Sequence, residues 1–218
     1  MKYFIFITLL MFFSFSCRTP NPPDWQLYSV NYIKRYQNSF LEGNDSEADI
    51  YFEKALEYIK NSGNVDQLSK AWIFRCSLEQ LSLSDSNCSH LSRFNAVSLS
   101  KKDLAYISFI KAEDVVKTEL LPKKHRKFYK KLNASPEKIN REIFSDKSDI
   151  SKILMASIAV RKNVYNEETL LKTYKTASRM GWKKVVVVFM KKHAEYLKSH
   201  GNHKDYDILR KKIEIISN

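Results

Sequence analysis

From Trp25 onward, apolar residues recur at the spacing of helices with one buried face. Trp25–Leu41 carries Leu27, Tyr28, Tyr32, Ile33, Tyr36 and Phe40 on that period, and Asp45–Lys60 carries Ala48, Phe52, Ala55 and Leu56. Val65–Leu81 repeats the pattern with Leu68, Ala71, Trp72, Cys76 and Leu78. A polar turn, "SLSDSN", then leads to a helix near Cys88–Val97. Ser100 is placed to cap "KKDLAYISFIKAEDVV", and Pro122 opens "KKHRKFYKKL". Ser135-Pro136-Glu137 combines a cap, a first-turn proline and an acid at the positive end of the helix dipole. Asp149–Lys162 follows, with Ile150, Ile153, Leu154 and Ile158, and Asn166-Glu167-Glu168 starts a helix holding Leu170, Leu171, Tyr174 and Ala177. Val185–Val188 would suit a strand. The wider spacing of Val185, Phe189, Ala194 and Tyr196 nevertheless predicts a helix over Trp182–Ser199, with a last one over His203–Ile216. Strand-like alternation is nearly absent, so the expected class is all-α.

The turns carry a second regularity. Gly43-Asn44-Asp45 and Ser62-Gly63-Asn64 bracket one helix, and glycine is the residue that best ends a helix in the left-handed conformation. "KALEYIKNSGN" (Lys54–Asn64) aligns with "KHAEYLKSHGN" (Lys192–Asn202) at an offset of 138 residues, and Gly43/Gly63 and Gly181/Gly201 share a separation of 20. The order of turn, Ala48, Phe52, Ala55-Leu56 and closing glycine resembles the second half of a tetratricopeptide (TPR) repeat, and 138 is close to four repeats of about 34 residues. The resemblance implies antiparallel helical hairpins stacked as a TPR-like array over residues 25–218, as a single domain. An irregular helical bundle with two similar turns is the alternative.

Met1–Cys17, "MKYFIFITLLMFFSFSC", has one lysine before an apolar run that is short for a spanning helix, and small residues near its exit. It reads as a signal peptide over residues 1–16. Cys17 resembles the lipidated cysteine of bacterial lipoproteins, with Ser16 suited to the position before it, although Ser14 and Phe15 depart from the usual lipobox. Cleavage by an ordinary signal peptidase and retention as an uncleaved anchor remain open. Residues 17–24, ending in "RTPNPPD", form a proline-rich tether. Arg18 is not the aspartate that holds lipoproteins at the inner membrane in well-studied sorting systems. The resemblance therefore implies an outer-membrane anchor facing the periplasm, with inner-membrane anchorage or secretion as alternatives. The remaining cysteines, Cys76 and Cys88, form an even pair if Cys17 carries lipid, which makes them candidates for a disulfide or for two buried thiols.

Charge changes the picture once more. The net charge is +13, but Arg18–Leu121 holds 12 Lys/Arg against 14 Asp/Glu while Pro122–Asn218 holds 24 against 10. The densest run is Lys123, Lys124, Arg126, Lys127, Lys130 and Lys131, interleaved with Phe128 and Tyr129. A signal peptide argues against nucleic acid as its partner. Anionic lipid, an envelope polymer or an acidic protein surface remain, beside the plain alternative of a solvated lysine-rich face.

His193, His200, His203, Asp205 and Asp207 form a loose group without metal-site spacing, and no phosphate loop or nucleophile elbow occurs. No catalytic, cofactor-binding or metal-binding residue is assigned, and no cofactor is expected. The sequence points to a lipid-anchored binding or scaffold protein of the cell envelope, held to the membrane through Cys17 and taking a protein or peptide partner. An envelope hydrolase using the His/Asp group, or a module docking on anionic membrane or polymer, are the alternatives.

Overall fold

Two helices of the chain are buried nearly all round, and the rest are arranged about them. The computed structural model describes residues 22–84, 86, 88–94 and 98–217, so Cys17, the proposed signal peptide and most of the tether lie outside the described residues. The described residues form ten α-helices and two 3-10 turns, with no strand: an all-α protein.

The first of the two central helices is α3 (Val65–Leu81), after the hairpin of α1 (Asp24–Glu42) and α2 (Asp45–Asn61). It buries Ser69, Ala71, Ile73, Cys76, Leu78, Gln80 and Leu81, residues that circle the helix rather than mark one stripe. The second is α7 (Asp149–Arg161), in which every residue from Ile153 to Val160 is buried. A helix that is apolar all round belongs in the interior, and α3 and α7 pack on each other there. The sequence reading gave each of them a single face, because periodicity does not distinguish a central helix from a half-buried one.

Around this pair lie α4 (Lys101–Ile110), α5 (Lys123–Tyr129), α6 (Pro136–Phe144), α8 (Glu167–Arg179), α9 (Lys183–Ser199) and α10 (His203–Ser217). The run of valines in α9 is helical because its face is needed inside: Val185 and Phe189 are fully buried. Most boundaries follow local chemistry. The Asn64 side chain accepts from the amide of Gln67 at 2.9 Å, and Ser100 and Asp103 form a reciprocal capping box. Gly43 closes α1 at φ +94°, with nothing within 4 Å of where a Cβ would stand. The glycine is there for its backbone freedom and not for space.

The two matched fragments fold alike. Each ends a helix on a left-handed glycine, and in each the following asparagine accepts from an amide three residues on, Asn64 from Gln67 at 2.9 Å and Asn202 from Asp205 at 3.3 Å. The ends of the chain also meet. Helix α1 packs against α9, Lys184 forms an ion pair with Asp45, and its Nζ sits 3.9 Å from the centroid of the Phe40 ring.

Two expected helices are shorter or different. In the segment near Cys88–Val97 the described residues form a 3-10 stretch over Ser89–Phe94, with Cys88 itself at φ +51°. Helix α4 stops at Ile110, and Ala112, at φ +57°, turns the chain away before Glu113. Positive φ at a non-glycine residue breaks a helix wherever the pattern would carry it on.

Candidate functional site

Cys76, on α3, and Cys88, at the entry of the Ser89–Phe94 turn, are joined by a disulfide with Cα atoms 5.4 Å apart. The bond holds the turn against α3, where the His90 ring lies 4.6 Å from Trp72 and the Arg93 guanidinium 5.1 Å. Arg75 faces Trp72 as well, at 5.7 Å, while pairing with Asp49 at 3.0 Å and Glu79 at 3.1 Å. Glu79 also accepts from Ser86 Oγ at 2.6 Å. The charged groups of the cluster pair among themselves, while His90 Nε2 is buried without a hydrogen bond, and the whole reads as a clamp. Beneath it, the Tyr36 hydroxyl is buried without a hydrogen bond, and burial raises its pKa.

Three of the six cations of the basic run pair with acids of the fold, at its surface. Lys124 pairs with Asp146 at 2.9 Å, and Lys127 and Lys131 both reach Glu142 of α6, at 3.2 and 2.5 Å. Burial alone would raise the Glu142 pKa; hydrogen bonds from Lys131 and Lys127 outweigh it and hold the carboxyl below its ordinary range. Arg126 donates to the carbonyls of Glu119 and Leu121. Lys123 and Lys130 are exposed and make no ion pair among the described residues. Nothing in the local sequence of α5 announces these acids, which lie 11 to 22 residues downstream.

On its other side α5 turns His125 toward α4 and α7: the ring is stacked 4.8 Å from Phe109 and 5.7 Å from Tyr106, with Ser151 Oγ 3.4 Å from Nε2. Ser151 in turn donates to Asp146 at 3.0 Å, so the carboxylate faces the serine and not the imidazole, and His125 Nδ1 has no partner. A nucleophilic triad needs the carboxylate on the histidine. This is a packing arrangement. Burial lowers the His125 pKa from 6.5 to about 4, against the opposing pull of Asp146.

The folded protein thus binds this proton more weakly than the unfolded chain does. The contribution of His125 is complete above pH 6.5 and is lost as pH falls toward 4. The expected loss is about 1–3 kcal/mol. His125→Phe should flatten the pH dependence of the urea midpoint in that window, with a smaller slope left by His90, whose pKa burial also lowers. An unchanged slope would show that His125 is not held neutral. The paired carboxylates Glu142 and Asp146, whose pKa values are lowered, act only at more acid pH.

The His/Asp group of the C-terminal region does not assemble. His193 is buried between α8 and α9, with Nε2 3.0 Å from Glu167, and His200 stacks 4.0 Å from Tyr196 on the surface. Among the described residues no three His, Cys, Asp or Glu side chains converge as a ligand set.

What the same region does form is a groove. Helices α8 and α10 flank α9, leaving an open trough of about 590 Å³ floored by Tyr174, Val186 and Met190 and edged by Ile215 and Ile216. Its rim carries Lys175, Arg179 and Lys212 and no acid. The wall formed by α8 is fixed at its start. The buried Asn140 of α6 donates to Asn166 at 2.7 Å and Glu168 at 3.2 Å and accepts from Thr169 Oγ1 at 2.5 Å. Replacing it by leucine should cost about 1–3 kcal/mol, since Thr169, Asn166 and Glu168 would each lose a hydrogen bond at a partly buried site. Equal urea midpoints for Asn140→Leu and the parent would show the network to be dispensable.

The opposite wall, α10, is seated more lightly, through a small cluster of Leu209 and Ile213 with Met190, Ala194 and Leu197 that is separate from the main core. The sequence reading placed Tyr206, Leu209, Ile213 and Ile216 on one stripe and passed over Ile215, which is 76% exposed. An isoleucine beside a stripe that already supplies a full face was the available signal. Among the described residues no helix is long and apolar enough to cross a membrane. Set beside known protein families, curated proteins and solved structures, the chain matches none of them.

Proposed function

We propose that the chain is a lipid-anchored binding or scaffold module of a bacterial cell envelope, built as a TPR-like set of helical hairpins and held at the outer membrane, facing the periplasm, through Cys17. The observation that carries the binding role is the α8–α10 trough: an open apolar groove, edged by the exposed Ile215, with charge of one sign on its rim. Apolar surface left open on a helical scaffold marks a contact site rather than a reaction centre. The titratable clusters point the same way, since His125, His193 and Glu142 serve packing and ion pairs. Support for the anchor comes from the sequence, where an apolar run with a single leading lysine ends at Cys17. Support for the hairpin architecture comes from the two fragments that fold alike and from the short turns joining α1 to α2 and α9 to α10.

The anchor is tested by metabolic labelling with a radioactive fatty acid. Label should enter the wild-type protein and be absent from Cys17→Ala, which should accumulate as precursor or reach the wrong compartment. Unlabelled wild-type protein would end the lipoprotein reading while leaving the groove untouched.

A further inference from the structure

We propose that the α8–α10 groove takes an amphipathic helical segment of a partner protein, one with an apolar stripe flanked by Asp and Glu. The inference rests on the reading of the chain as a binding module and adds the chemistry of the partner. Three observations lead to it.

The first is shape. Helices α8 and α10 each pack on α9, and Met190 on the floor of the groove beside them is recessed to 7% exposure. A flat bilayer surface would rest on the rim and leave such a floor uncovered. A helix lying in the groove would set side chains at i, i+3 and i+4 onto it.

The second is charge. The acids of these three helices are largely committed: Glu167 to His193, Glu168 to Lys172, Glu195 to Lys192 and Glu214 to Arg210. Lys175, Arg179 and Lys212 on the rim make no ion pair among the described residues. Their field is open to an acidic partner, whereas the run on α5 has supplied its own acids.

The third is the contrast with the other apolar cleft, between α4 and the segment leading to Leu120. Asp114, paired with Lys162, stands there among Lys101 and Lys117, so that rim already holds an acid where the α8–α10 rim holds none.

Peptide display with the full chain tests this directly, using a library of random peptides about 16 residues long, some four helical turns. The expected winners carry apolar residues at helical spacing with Asp or Glu beside them. Binding of a winning peptide should fall about ten-fold or more in Ile215→Asp and in the Arg179→Glu, Lys212→Glu pair. It should weaken with added salt as the rim is screened. The Lys123→Glu, Lys130→Glu pair should bind as the parent does. All these side chains are exposed, so melting temperatures should be unchanged and loss of binding would report the groove.

Enriched peptides that bind the groove variants as well as the parent would overturn the groove and leave the binding-module reading standing. Winners without acidic residues would overturn the proposed partner chemistry. If no peptide is enriched while phosphatidylglycerol vesicles capture the chain through Arg179, Lys212 and Ile215, the occupant is a membrane and the proposal falls. Failure of peptides and vesicles alike would remove both readings.

Discussion

Phe52→Ala should lower the unfolding free energy by about 3–5 kcal/mol, the largest single effect expected in this protein. Phe52 is fully buried at the junction of α1, α2 and α3. The Tyr36 ring lies 4.8 Å from it, the edge of Trp72 4.9 Å, and the Arg75 guanidinium 5.0 Å. Deleting the ring removes its transfer free energy and leaves a cavity that three neighbours on two other helices cannot all collapse into. It also strips one face from Arg75, whose other partners, Asp49 and Glu79, fix it in place. Against a whole-domain stability of about 5–15 kcal/mol the loss is severe. Lys54→Ala, two residues along the same helix, is the control. Its side chain is exposed, with Nζ 5.6 Å above the Tyr32 ring, and its removal should stay within about 0.5 kcal/mol. Urea denaturation of the two variants settles the matter: coincident midpoints would mean that α2 is not packed as described.

The neighbours of Phe52 also show where the sequence was readable. Ala48, Phe52, Ala55 and Leu56 were assigned to one face from spacing alone, and all four are buried. The starts at Val65, Lys101 and Glu167 follow side-chain caps in the preceding residue, while that at Pro136 rests on its first-turn proline, the Ser135 side chain making no cap hydrogen bond. These features are local, so a local reading reaches them. What failed depends on partners far along the chain. The lysines of α5 look like a free basic patch until Glu142 and Asp146 are folded against them. The stretch from Cys88 looks helical until the positive φ at Cys88 and the 3-10 geometry of Ser89–Phe94 are seen. The α8–α10 groove needs three helices at once, and no window of one helix contains it.

The same contrast governs the second large effect. A symmetric hairpin of two helices would set Cys88 opposite residue 80, one turn away from Cys76. The chain instead leaves α3 at Leu81, reverses through Leu83 at φ +53°, and delivers Cys88 to Cys76 from a non-helical segment, so helix register does not apply. The bond closes a loop of 12 residues in sequence separation. Chain entropy for a loop of that size is worth about 3 kcal/mol. Freeing the turn also releases His90 and Arg93 from Trp72, and an exposed cation–ring contact adds about 0.5–1 kcal/mol. A Cys76→Ser, Cys88→Ser protein should therefore be less stable by about 4 kcal/mol, still folded at low temperature if the parent lies in the middle of the ordinary range. Unfolding of the parent in urea with and without dithiothreitol, followed by far-ultraviolet circular dichroism, gives the same comparison without mutation. The reductant should shift the parent and leave the double variant alone. If it shifts neither, the two cysteines do not clamp the turn. A shift in both would place the reducible element elsewhere.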